Sequence, residues 1–219
     1  MSALARYFLH EGYRVAGYDL TATALTRALE AEGAEIHYEY NPELIPPHMR
    51  STEDTIVVLT PAIPATHSEW AWLRNNGFRI EKRSQMLGVL SEGKLVMAVA
   101  GTHGKTTTST LAAWLDTAAA SEGSAFLGGI SRNFNSNLVL GEGRRLVVEA
   151  DEYDRSFFFF FSDVAGITAT DADHLDIYGT AEAMVEAFEE FASQIKRGGI
   201  LILKEGVELR FDTTEREIY

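Results

Sequence analysis

Leu95-Val-Met-Ala-Val-Ala-Gly-Thr-His-Gly-Lys-Thr-Thr-Thr108 is the stretch on which the reading of this chain turns. The apolar run Leu95 to Ala100 has the character of a buried strand, and Leu111-Ala-Ala-Trp-Leu115 has helix-forming composition. Two glycines, a lysine and hydroxyl residues lie between them. Strand, glycine loop, lysine, helix is an arrangement that holds nucleotide phosphates. Glycines let backbone N–H groups approach phosphate oxygens, and the helix N-terminus adds partial positive charge. Lys105 can reach the β- and γ-phosphates, and the Thr106 hydroxyl can ligate Mg²⁺. Gly101, Thr102, His103, Gly104, Lys105, Thr106 and Thr107 are the candidate nucleotide-binding residues, with ATP and Mg²⁺ as the expected cofactors. The spacing G-x-x-G-K-T is shorter than the general G-x-x-x-x-G-K-[ST] pattern. A plain glycine turn joining strand to helix is the alternative, but Lys105 and Thr106 would then have no packing purpose.

Composition bounds the function. At 219 residues, one large or two medium domains are expected. A hydrophobic share of 46% is enough for a packed core. The net charge of −13 argues against duplex nucleic-acid binding and gives no attraction to anionic membranes. A single loop can still concentrate enough positive groups for a nucleotide. With 0 cysteines there are neither disulfides nor thiolate metal sites. No apolar run approaches membrane-span length and no signal peptide is visible, so a cytoplasmic enzyme is expected.

Strand-like and helix-like stretches alternate along the chain, as in an α/β protein with a mostly parallel sheet. In the first half, helices are expected over 1–11, 23–32, the segment up to Asn75, and 84–90. Strands are expected over 13–17, 35–38, 55–59 and 78–81, with a proline-containing loop over 41–48. Ser91-Glu-Gly-Lys94 is the candidate boundary. Beyond it, strands are expected at 95–100, 146–149, 164–168 and 200–203, and a helix over 180–195. The five phenylalanines Phe157 to Phe161 suggest a buried strand.

Two acidic clusters follow strands: Glu149-Ala-Asp-Glu-Tyr-Asp154 and Asp171-Ala-Asp-His-Leu-Asp176. Ligands of open α/β sheets sit beyond the carboxyl ends of the strands. The phosphate loop, both clusters and Asp19 occupy such positions. Any one of these aspartates serves equally well as a helix cap or a solvated group. Glu149 and His174 together, beside a phosphate loop, favour a divalent-cation site. His67 follows the turn Pro61-Ala-Ile-Pro64 and is either a ligand contact or a plain loop residue. His10, His37 and His48 read as surface or loop residues.

Gly101-Thr-His-Gly-Lys-Thr-Thr-Thr108, Glu149-Ala-Asp-Glu-Tyr-Asp-Arg-Ser-Phe157 and Asp173-His-Leu-Asp-Ile-Tyr-Gly179, in this order, resemble the Mur ligases. The short phosphate loop is the form this family uses. The resemblance implies a Rossmann-like UDP-sugar-binding domain over 1–91. Over 92–219 it implies the front part of a P-loop-type ATPase α/β domain. It implies that Lys105 binds the β/γ-phosphates, that Thr106 and Glu149 ligate Mg²⁺, and that His174 serves a metal site near an acyl phosphate. Lys105, Glu149 and His174 are thus the implied catalytic residues. Asp19, Thr60, Ala62, His67 and Arg83 align with stretches that hold the uridine diphosphate, and Asn137 with an asparagine near the muramyl group.

The implied reaction belongs to peptidoglycan biosynthesis. The lactyl carboxylate of UDP-N-acetylmuramate attacks the γ-phosphate of ATP, and the amine of L-alanine then attacks the acyl phosphate. A tripeptide in place of L-alanine is the runner-up; Asp154-Arg-Ser-Phe157 and Asp176-Ile-Tyr-Gly179 lean toward alanine. A nucleotide switch module would need partner-facing switch loops, and none is clear. A dehydrogenase would need G-x-G-x-x-G, which the chain lacks. The family's first strand and Gly-rich turn should precede Met1-Ser2, and its amino-acid-binding domain should follow Tyr219. The chain is therefore expected to be a fragment, inactive as a ligase by itself.

Overall fold

A computed structural model describes residues 1–60, 63–64, 66–171, 175–211 and 217–219. Two compact units divide the chain, Met1–Met86 and Leu87–Tyr219.

The first unit contains α1 (Ser2–His10), β1 (Ala16–Tyr18), α2 (Ala24–Ala31), β2 (Glu35–His37), β3 (Ile56–Leu59), α3 (Ser68–Asn75) and β4 (Arg79–Lys82). Helix α4 (Arg83–Ser91) begins in this unit and ends in the second. Thr23 starts α2 with a capping box: its hydroxyl accepts from the Thr26 amide, and the Thr26 hydroxyl accepts from the Thr23 amide. The strands form two separate parallel pairs, β1–β2 and β3–β4. The first strand starts only at Ala16, not at Tyr13. The proline-containing loop makes two 3₁₀ turns, Pro42–Leu44 and Pro47–Met49, each with proline in its first turn, where no N–H is needed.

The second unit follows with β5 (Leu95–Ala100), α5 (Lys105–Ala118), β6 (Ser124–Ser131), β7 (Ser136–Val139), β8 (Arg145–Glu149), β9 (Val164–Ile167), α6 (Leu175–Tyr178), α7 (Ala181–Ser193), β10 (Ile200–Leu203) and β11 (Glu217–Ile218). They build one sheet in the order β11-β10-β9-β5-β8-β6-β7. All pairings are parallel except β6–β7. Val96, Ala98, Val99 and Ala100 of β5 are buried, as a strand covered on both faces requires. The β6–β7 hairpin has no counterpart among the strands expected from sequence. Its Gly128-Gly129 pair and asparagine-containing turn are poor strand signals, and β6 is held as a strand by pairing with β8 on one side and β7 on the other.

The phenylalanine run corrects an expectation. Tyr153–Phe159 is a 3₁₀ helix, not a strand. Residues three apart share a face in this geometry, so Phe157 and Phe160 both turn inward and are buried. Phe157 stacks on Phe191 of α7 at 5.1 Å and meets Phe188 edge-on at 5.6 Å. Phe161, past the end of the helix, is 59% exposed.

Candidate active site

β5 lies between β8 and β9, so the chain leaves neighbouring strands in different directions at their carboxyl ends. Such a switch point opens a crevice in α/β sheets. The register sets Val99 beside Glu149 and Ala100 beside Ile167. The loop after β5 therefore emerges between the end of β8 and Thr168.

Gly101 has a φ of +130°, and a Cβ there would overlap the Thr168 hydroxyl and crowd the Ala169 backbone. Glycine lets the loop lie against the segment after β9. The Thr102 amide donates to the Ala169 carbonyl at 3.0 Å, and the Thr168 hydroxyl donates to the carbonyls of Ala100 and His103. Gly104 caps α5 without a side chain. Helix geometry leaves the first-turn N–H groups without intrahelical acceptors, open to an anion. The Thr102 hydroxyl is buried with no hydrogen-bond partner among the described residues. His103, Thr106 and Thr107 are exposed.

Lys105 folds back over this loop. Its ammonium donates to the Gly101 carbonyl at 2.8 Å and to both oxygens of Glu152 at 2.8 Å. Asp151 lies 3.7 Å away. Thr106 turns the other way and donates to Glu149 Oε1 at 3.0 Å. Glu149 Oε2 accepts from the Gly128 amide at 2.8 Å. A Cβ on Gly128 would overlap that carboxylate, so β6 must carry glycine there. Hydroxyl and carboxylate oxygens side by side, with the first turn of a helix beside them, form a donor set suited to a hard cation such as Mg²⁺.

Among the described residues no group of three or more His, Cys, Asp or Glu side chains gathers as a metal cluster. His174 and Ala62 lie outside the described residues. Glu152 is the residue that sequence reasoning passed over. It stood in the acidic cluster, but only the fold shows that its carboxylate is fully buried against Lys105.

The remaining candidates belong mainly to the first unit. Asp19 follows β1, is exposed, and accepts from the Thr21 amide at 3.2 Å. Thr60 follows β3 and its carbonyl accepts from the Ile63 amide at 3.2 Å. Arg83 opens α4, and Asn137 lies on β7 in the second unit. His67 is buried at 5% exposure. Its ring meets Tyr18 at 4.7 Å and Tyr40 at 4.6 Å, and neither ring nitrogen has a partner among the described residues. Tyr40, Pro64, Thr66, His67 and Ser68 line a pocket of about 330 Å³. Burial, and then the neighbouring Tyr40 hydroxyl, push the Tyr18 phenol up to about 12, which keeps it neutral. His37 corrects its reading as a surface group: it is half-buried on β2 and lies 2.7 Å from Glu69. The aromatic side chains around His67 come from separate segments, so no local pattern announced them.

The UDP-N-acetylmuramate–L-alanine ligase of Phocaeicola vulgatus is 52% identical over 211 residues, covering 96% of this chain and 46% of that protein. The solved UDP-N-acetylmuramate–alanine ligase of Thermotoga maritima superposes with a TM-score of 0.80 at 26% identity, covering 94% of this chain and 46% of its own. The Neisseria meningitides UDP-N-acetylmuramate:L-alanyl-γ-D-glutamyl-meso-diaminopimelate ligase gives a TM-score of 0.85 at 22% identity, covering 95% and 68%, and shares the fold. The chain spans about half the length of the curated relatives it matches. The Mur ligase family catalytic-domain profile matches residues 1–95, and the Mur ligase middle-domain profile matches residues 99–213. Two family profiles in sequence along the chain, and 52% identity over 96% of it to a curated relative, lead to one assignment: this protein belongs to the Mur ligase family.

Proposed function

We propose that this chain supplies the UDP-sugar-binding and ATP-binding parts of a cytoplasmic ligase that joins L-alanine to UDP-N-acetylmuramate. The observation that carries the reading is the pairing of Thr106 with Glu149 at 3.0 Å, beside a glycine loop whose Lys105 donates to the Gly101 carbonyl, beyond the ends of β5 and β8. Identity of 52% to a relative named for that activity supports the choice of substrates.

The chemistry follows from the charges that must meet. A lactyl carboxylate oxygen bonds to the γ-phosphorus of ATP while the bond from that phosphorus to the β-phosphate oxygen breaks, releasing ADP. The amine of L-alanine then bonds to the acyl carbon, inorganic phosphate leaves, and the nitrogen gives up a proton as the amide forms. Both steps bring anions together, so neutralising groups dominate catalysis. Lys105 and the first-turn amides of α5 would hold the β- and γ-phosphates. Thr106 and Glu149 would hold Mg²⁺, with His174 at a second metal position, and the metal supplies charge neutralisation at the phosphate oxygens. Asp19, Thr60, Ala62, His67 and Arg83 would hold the uridine diphosphate, with Asn137 near the muramyl group.

The test uses the full-length protein with UDP-N-acetylmuramate, ATP, Mg²⁺ and either L-alanine or the tripeptide, and products are read by mass spectrometry. Amide formation with L-alanine is expected. Turnover with tripeptide alone moves the protein to the recycling activity. ATP hydrolysis indifferent to the UDP-sugar would make it a nucleotide switch.

A further inference from the structure

We propose that the buried carboxylate of Glu152 is a resident anion for Lys105 that competes with incoming nucleotide phosphate, so that nucleotide affinity reflects a contest between two anions for one ammonium. The inference rests on the nucleotide-site reading above.

The two glutamates of the segment after β8 have different partners. Glu149 is half-buried and faces a hydroxyl and a backbone amide. Glu152 has no exposed surface and faces an ammonium with both oxygens at 2.8 Å. Its backbone is pinned: its carbonyl accepts from the buried Tyr178 hydroxyl at 2.6 Å and from the Arg155 amide at 3.0 Å. The carboxylate therefore cannot easily follow Lys105 outward. An ammonium has three protons to give, and the Gly101 carbonyl and Glu152 already engage it.

A phosphate arriving at this loop meets a lysine whose charge is already matched. If Lys105 stays shared, the phosphate lies near a buried, weakly screened negative charge. If Lys105 swings to the phosphate, the Glu152 carboxylate loses a close counter-ion in a buried setting. Either way the charge on Glu152 opposes nucleotide binding. Removing the charge while keeping the shape should lift that opposition. A residue that merely oriented Lys105 would do the reverse, because its loss would loosen the grip.

The test is Glu152→Gln in the full-length protein, with affinity for ADP in the presence of Mg²⁺ measured by titration calorimetry. About tenfold tighter binding is expected, a change of ~1.4 kcal/mol. A second measurement needs no ligand: Lys105→Ala/Glu152→Gln should melt at a higher temperature than Lys105→Ala, since the double variant removes the buried charge left without its ammonium. Unchanged or weaker ADP binding by a folded Glu152→Gln variant, with the unsubstituted protein binding normally, overturns the inference. A double variant no more stable than Lys105→Ala does the same. If the unsubstituted protein fails to bind ADP, the nucleotide-site reading itself falls, while the melting comparison still reports on the pair.

Discussion

Replacing Lys105 with alanine should cost stability as well as chemistry. The Lys105–Glu152 pair sits at 2.8 Å with side-chain exposures of 13% and 0%. At an effective dielectric of about 20, Coulomb attraction at that distance is roughly 6 kcal/mol, from which desolvation takes back a large part. Removing one partner of such a pair costs about 3–5 kcal/mol, because the other charge stays buried. The low exposure of both groups leaves little solvent screening to reduce that figure. In a domain of this size, a loss of that magnitude lowers the melting temperature by on the order of 10 °C. Differential scanning calorimetry of the full-length protein, without nucleotide, reads it directly. Saturating MgATP adds a second signal. A ligand at about 100 times its Kd stabilises by about 2.7 kcal/mol, and Lys105→Ala should lose that increment. Turnover should fall by about a hundredfold or more, as when one stabilising donor to a developing anion is removed. A ligand-free melting temperature within about 2 °C of the unsubstituted protein would refute the account of the pair.

Further outcomes follow from other parts of the molecule. Gly128→Ala forces the Glu149 carboxylate away from Thr106; turnover should drop roughly tenfold, with a raised Mg²⁺ requirement, and an unchanged Mg²⁺ titration would count against Glu149 as a metal ligand. Phe157→Ala empties a fully buried site against Phe188 and Phe191, so urea unfolding should show a loss of about 3–5 kcal/mol; a loss below about 1 kcal/mol would mean the site collapses freely. His67→Phe keeps the aromatic packing on Tyr18 and Tyr40 but removes both ring nitrogens. It should raise the KM for the UDP-sugar about tenfold, the worth of one good hydrogen bond, with kcat nearly unchanged; an unaltered KM would remove His67 from the substrate site.

Particular residues show how far local reading reaches. Gly101, Gly104, Lys105 and Thr106 were legible because their chemistry is carried by neighbours in sequence: a strand end, a tight turn and a helix start. α7 was legible because Ala183, Val185, Phe188, Phe191 and Ile195 give the segment an apolar helical pattern, and Phe188, Phe191 and Ile195 are buried. Composition favours a strand for the phenylalanine run, whereas the three-residue spacing of Phe157 and Phe160 suits a 3₁₀ turn packed on α7. The β6–β7 hairpin carries no local signal, because Gly128 has a long-range cause, the Glu149 carboxylate lying over it.

By itself the sequence determined that an apolar strand runs through a glycine loop into a helix bearing Lys105 and Thr106, with acidic clusters at later strand ends. Period, spacing and turn chemistry are local properties, so they can be read along one dimension. Only the tertiary structure decided which acid meets which partner. Setting β8 and β9 on either side of β5 brings Glu149 to Thr106 and buries Glu152 against Lys105. The two glutamates stand three residues apart in the same cluster, and nothing local separates them. What distinguishes them is burial, which depends on how distant segments pack and so on the whole fold.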